Sequence, residues 1–177
     1  MSRTRKLAYL PFLLIAICLV LTVAQSASAA GGTGSGSVSL TTLGSAYSQN
    51  FDTLATTGTD IDMSINGWYI YEDSTGAAAD GQYRASTGSD NAGDAYSFGA
   101  AATAERALGS LRSGTVIPSF GASFINNTGS AITSLDVAYT GEMWRAGVAS
   151  RTTADQLDFQ LSTSATTLQT GTWTDYN

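Results

Sequence analysis

The chain has 177 residues, 8 Lys+Arg against 14 Asp+Glu, no His and one Cys, which is enough for one domain of ordinary size. Only 12% of residues are charged; Ser, Thr, Ala and Gly fill the deficit, and 19 Gly with 2 Pro fit neither a collagen-like nor a Pro-rich disordered chain. Without an imidazole, Ser-His-Asp and Cys-His machinery and His-based zinc sites are excluded.

Arg3, Arg5 and Lys6 precede an uncharged run from Leu7 to Val23, and Ala27-Ser28-Ala29 then supplies the small-x-small pattern that a signal peptidase accepts. Residues 1–29 therefore read as a helical signal peptide, cleaved after Ala29 with Ala27 and Ala29 as the recognised positions. The expected location is secreted, extracellular or at the cell surface. The apolar run is longer than the usual signal core, so a retained membrane anchor is the competing reading, and the membrane is expected only through this segment. Cys18 follows Ile17, not the small residue that a lipoprotein signal requires, and it leaves with the signal.

Beyond Ala29 there is no Lys, and five Arg stand against fourteen acids, a net charge of −9. A P-loop lysine, a Schiff-base lysine and a cationic groove for nucleic acid are all missing, so no direct nucleic-acid contact is expected. An exported chain left without cysteine has no disulfides, and its stability must come from core burial and backbone pairing.

Residues 30–45 read as a flexible Gly/Ser/Thr-rich linker, and residues 46–177 as one β domain. Within that domain the apolar pattern has period two, punctuated by Gly, Asn, Asp and Ser. Strands are expected at Ala46–Phe51, Gln82–Ala85, Ala95–Phe98, Arg106–Leu111, Ala122–Asn126 and Thr172–Tyr176. Two further strands alternate cleanly: Ile132–Thr140, with Leu135, Val137 and Tyr139 on one face, and Asp155–Ser162, with Leu157, Phe159 and Leu161 on one face. Between Asp60 and Glu72, Asn66-Gly67 marks a hairpin with a two-residue type I′ turn. It aligns Ile61, Met63, Ile65, Trp68 and Ile70 on one apolar face and Tyr69 and Tyr71 on the other. The expected fold is all-β, an antiparallel β-sandwich of jelly-roll-like character.

Several segments occur in a familiar order: Tyr47-x-x-Asn50-Phe51-Asp52-x-Leu54, Gly67-Trp68-Tyr69, Ala95-Tyr96-Ser97-Phe98-Gly99, Glu105 to Leu111, Phe120 to Gly129, Gly141-Glu142-x-Trp144-Arg145 and Asp155 to Phe159. Together they resemble a β-sandwich module of large exported bacterial proteins. There the module sits ahead of lamin-tail or immunoglobulin-like domains, an endonuclease/exonuclease/phosphatase domain or a PEP-CTERM sorting tail. The resemblance covers Ala46 to Asn177 and carries over no catalytic residues. Members of that group continue past the position of Thr172–Tyr176 with more strands. The resemblance therefore implies a sandwich lacking its last strands here, and a possible strand-completing partner.

Candidate ligand-binding residues follow from chemistry. Glu142, Trp144 and Arg145 combine a carboxylate, an indole and a guanidinium, suited to a sugar or carboxylate contact, and equally to a structural ion pair beside a core Trp. Alternation turns Arg145 away from Glu142. Tyr69 and Tyr71 are candidates for an exposed aromatic platform on which sugar rings stack. Glu105 and Arg106, adjacent on a strand, should meet separate partners. Asp60, Asp62, Asp90 and Asp94 sit in oxygen-rich turns and are weak Ca²⁺ candidates, since tight turns select the same residues; no other metal or cofactor is expected.

The reading these features favour is an exported non-catalytic module that binds a glycan or cell-surface polymer, or acts as an adhesive spacer. One alternative is the leading fragment of a secreted endonuclease or phosphatase. Another is a glycosidase using paired carboxylates, for which Glu72, Glu105 and Glu142 are the only glutamates.

Overall fold

The computed structural model describes residues 32–74, 79–147, 150, 152–153 and 156–176. The segment read as a signal peptide, with Ala27 and Ala29, lies outside them. Every regular element among the described residues is a strand, so this part of the chain is all-β.

Four sheets form. The first has the order β1 (Gly32–Gly34), β3 (Trp68–Ser74), β7 (Val116–Ala122) and is antiparallel throughout. The second has the order β4 (Tyr83–Ser86), β5 (Asp94–Phe98), β6 (Ala107–Leu111). Here β5 and β6 are antiparallel but β4 and β5 run parallel, in the register Tyr83↔Ala95 to Ser86↔Phe98. A parallel pair also joins β2 (Val38–Leu40) to β8 (Phe124–Asn126), and β9 (Gln160–Leu161) pairs antiparallel with β10 (Thr174–Asp175). The purely antiparallel expectation is thus corrected. Period two reports which side chains face inward and carries no information about strand direction.

The segment read as a linker contains β1 and β2. Glycine composition signals freedom in isolation, but here the glycines let a strand lie close against β3. Gly32 and Gly34 stand directly opposite Tyr71 and Tyr69, whose rings cover the bare backbone. Thr33 ties the strand down further: its hydroxyl donates to Gly81 O at 2.6 Å and accepts from Met63 N at 3.1 Å.

The Asn66-Gly67 turn forms, with Trp68 N donating to Ile65 O at 3.0 Å, but it is not type I′. Only Gly67 has a positive φ, 82°, in the manner of a type II turn, which splays the flanking segments. Ile61 accordingly bridges to Tyr83, and β1 and β7 take the places beside β3. The inward face nevertheless survives the change of pairing. Leu54, Met63, Ile70, Tyr83 and Ala95 make the buried core, with Ile61, Ile65, Trp68, Leu108 and Phe120 packed against it. This core draws on both three-stranded sheets.

Other expected strands differ. Ala46–Phe51 is irregular: Phe51 has φ 64°, its N–H donates to the Gln49 side chain at 2.9 Å, and its ring meets Trp68 edge-on at 4.6 Å. Among the described residues Ile132–Thr140 joins no ladder; Leu135, Val137 and Tyr139 are exposed, and Tyr139 stacks on Phe159 at 6.4 Å. Alternation marks two faces in the sequence, but a strand also needs an edge beside it, and here residues 133–140 are exposed on both. Of Asp155–Ser162 and Thr172–Tyr176, only the two-residue strands β9 and β10 pair. β7 was absent from the sequence reading because Pro118 and Gly121 look like breakers. As the edge of its sheet, β7 tolerates the missing N–H.

Candidate functional site

Inward alternation along β3 runs Trp68, Ile70, Glu72, so an acid ends the apolar series inside the protein. Glu72 is 1% exposed, and its carboxylate accepts from Ala95 N at 2.8 Å and from Asp80 N and Gly81 N at 3.2 Å each. It clamps β3 to the chain entering β4 and to β5.

Asp94 lies next to that clamp, buried and ion-paired with Arg84. Burial pushes its carboxyl up to about 7; the Arg84 guanidinium opposes the shift and the Glu72 charge adds to it. Between the ordinary carboxylate range and about pH 7 the folded chain holds a proton that the unfolded chain releases. Stability is therefore expected to fall as pH rises through that window. Urea midpoints at pH 5 and pH 8 test this: the wild type should be more stable at pH 5, and Asp94→Asn should flatten the difference.

At the other end of β4 and β5 the chain builds a cleft. Ser86 and Phe98 are paired in register, and Gly99 N donates to Ser86 O at 3.1 Å as the chain leaves β5. Arg106, 3% exposed, lies across this end: Nε donates to Ser97 Oγ at 2.8 Å, and Nη2 donates to Ser97 O and, at 3.4 Å, to Ser86 O. Burial lowers the proton affinity of its guanidinium. A Cβ on Gly99 would overlap Nη1, so only glycine leaves room for this side chain. The cleft beside it holds about 270 Å³; Thr56, Thr57, Thr87, Ser89, Asp90 and Arg106 line it together with Ser86 and three alanines.

Tyr96 and Phe98 point to the opposite side of β5 from the core residue Ala95. Their rings stack at 4.9 Å, and Trp144 continues the ladder over Phe98 at 6.2 Å and 6° between planes. Trp144 is half-buried, and its indole N–H donates to Glu142 Oε2 at 2.8 Å. Arg145 reaches the turn that lines the cleft, donating to Ser89 O at 3.2 Å and Gly88 O at 3.4 Å. Trp144 and Arg145 are thus brought to the turn at Gly88 and Ser89, and Glu142 is held to it through the Trp144 indole.

Tyr69 and Tyr71 are placed elsewhere. Both are half-buried against β1, and the Tyr69 hydroxyl donates to Gly36 O at 2.6 Å. Trp144, with its backbone against Gly88, is the aromatic residue next to the turn that carries Thr87 and Ser89. Of the calcium candidates, Asp60 accepts from Thr59 at 3.0 Å, Asp62 accepts from Gln82 at 2.7 Å, Asp94 is taken by Arg84, and Asp90 lines the cleft. Among the described residues no three His, Cys, Asp or Glu converge as a metal group. Sequence reasoning missed the role of Arg106 at the cleft, because its partners Ser86 and Ser97 are brought to it by the parallel β4–β5 pairing.

No family model, no curated protein and no solved structure matches the chain.

Proposed function

We propose that the chain is an exported, non-catalytic β-sandwich module that binds a glycan or surface polymer. The observation carrying this reading is the Tyr96–Phe98–Trp144 ladder, which ends in a half-buried indole whose backbone lies against Gly88, in the turn from which Thr87 and Ser89 line a cleft. A flat ring next to a cluster of hydroxyl donors and acceptors is the chemistry that holds a sugar, its apolar face on the ring and its rim on the polar groups. The export signal and the resemblance to exported bacterial modules support the same location.

Two of the three glutamates that a glycosidase would draw on are engaged. The Glu72 carboxylate holds three backbone N–H groups, and Glu142 accepts from the Trp144 indole. This favours binding over hydrolysis.

Incubating the secreted chain with a polysaccharide panel tests the reading. Binding without new reducing ends is expected, and Trp144→Ala should weaken it about tenfold, the equivalent of ~1.4 kcal/mol. Undiminished binding by Trp144→Ala would remove the indole from the site.

A further inference from the structure

We infer that the cleft is a carboxylate subsite, and that Arg106 Nη1 takes the acid group of a uronate unit in the bound polymer. This deepens the glycan reading and rests on it for the identity of the ligand.

The argument starts from the donors of one guanidinium. Nε and Nη2 are used on Ser97 and Ser86, whereas among the described residues Nη1 makes no hydrogen bond. Among the described residues no fully buried side-chain nitrogen lacks a partner, so Nη1 keeps some solvent access, and Arg106 is one of the residues that line the cleft. The residue is 3% exposed, and the only ion pair among the described residues is Arg84 with Asp94; Asp52 accepts from the Arg106 backbone N–H and the Glu105 charge acts on the guanidinium, but among the described residues no carboxylate forms an ion pair with it. Such a charge is costly alone, and a ligand carboxylate offsets that cost through a charge-assisted hydrogen bond.

The remaining lining selects the rest of the ligand. Thr56, Thr57, Thr87 and Ser89 offer hydroxyls, and Asp90 is an acceptor for a sugar hydroxyl. A volume of about 270 Å³ suits one sugar unit, below the ~300–1,000 Å³ typical of larger ligands. The turn that lines the cleft is also the one held by Arg145, the residue after Trp144. Since five Arg face fourteen acids beyond Ala29, an isolated uronate among neutral sugars fits better than a dense polyanion.

The test compares a uronate-bearing polysaccharide with its carboxyl-reduced form, and glucuronate with glucose and acetate, by calorimetry on the secreted chain. Carboxyl reduction should weaken wild-type binding at least tenfold. Arg106→Gln should abolish the preference. Because Arg106 also ties β4 to β5, Ala101→Asp provides a second variant: it places a carboxylate on the exposed cleft rim and should abolish the preference with the fold intact. Equal binding of the native and reduced polymers would overturn the carboxylate subsite and leave the glycan reading standing. Glucuronate binding that depends on Arg106, with no polymer bound, would sustain the subsite and sink the polymer reading. Acetate binding as tightly as glucuronate would overturn the sugar-acid assignment, and no binding of any of these would overturn both readings.

Discussion

Glu72→Ala is expected to destabilise the domain by about 3 kcal/mol, lowering Tm by about 10 °C, as a domain of this size shifts a few degrees per kcal/mol. The substitution deletes an acceptor that three backbone N–H groups share. Ala95, fully buried, and Gly81, also buried, then have no water to turn to, whereas Asp80 is exposed and recovers a partner from solvent. Each stranded buried donor costs about 1–3 kcal/mol. Glu72→Gln distinguishes charge from shape. Its single carbonyl oxygen can keep the 2.8 Å bond to Ala95, but its NH₂ then faces the Asp80 and Gly81 donors, so about half the loss should remain. Urea unfolding followed by tryptophan fluorescence reads both variants; a Gln variant as stable as wild type would show that the clamp does not need two acceptor oxygens.

Glu72 also shows where sequence legibility stops. Alternation from Trp68 and Ile70 puts it on the inward face, but its partners lie between 8 and 23 residues further along the chain, where no local pattern points. The same division runs through the fold. Ile61, Met63, Ile65, Trp68 and Ile70 read as one apolar face and do pack into one core, even though the hairpin expected to align them does not form. Burial follows from the hydrophobic pattern of each residue, whereas pairing depends on which edges the rest of the chain leaves open. β1 was illegible because Gly32 and Gly34 owe their place to the Tyr71 and Tyr69 rings opposite them. At the candidate site, Glu142, Trp144 and Arg145 stood out by their chemistry. Arg106 did not, because its significance comes from Gly99 making room for it and from Ser86 and Ser97 consuming only part of its donors.

Gly67→Ala is expected to cost about 3 kcal/mol, and Gly44→Ala only about 1 kcal/mol, although the two glycines share nearly the same backbone conformation. Gly67 has φ 82° and Gly44 φ 76°, so a Cβ meets the same left-handed strain at both. The surroundings differ. A Cβ at Gly44 meets nothing within 4 Å, while at Gly67 it would lie 2.7 Å from Val38 N and 2.8 Å from Val38 Cγ2. The turn cannot yield to relieve that overlap, since Gly67 N donates to Ser35 O at 2.7 Å and Gly67 O accepts from Ser123 N at 2.8 Å. Those bonds join the residue before β3 to the link between β1 and β2 and to Ser123 between β7 and β8. A shift at Gly67 therefore propagates into two sheets. Denaturant midpoints of the two variants separate the contributions: the Gly44 loss measures conformational strain, and the excess at Gly67 measures close packing against Val38. Equal losses would mean that the β2 segment moves aside freely, and that Gly67 serves only the turn.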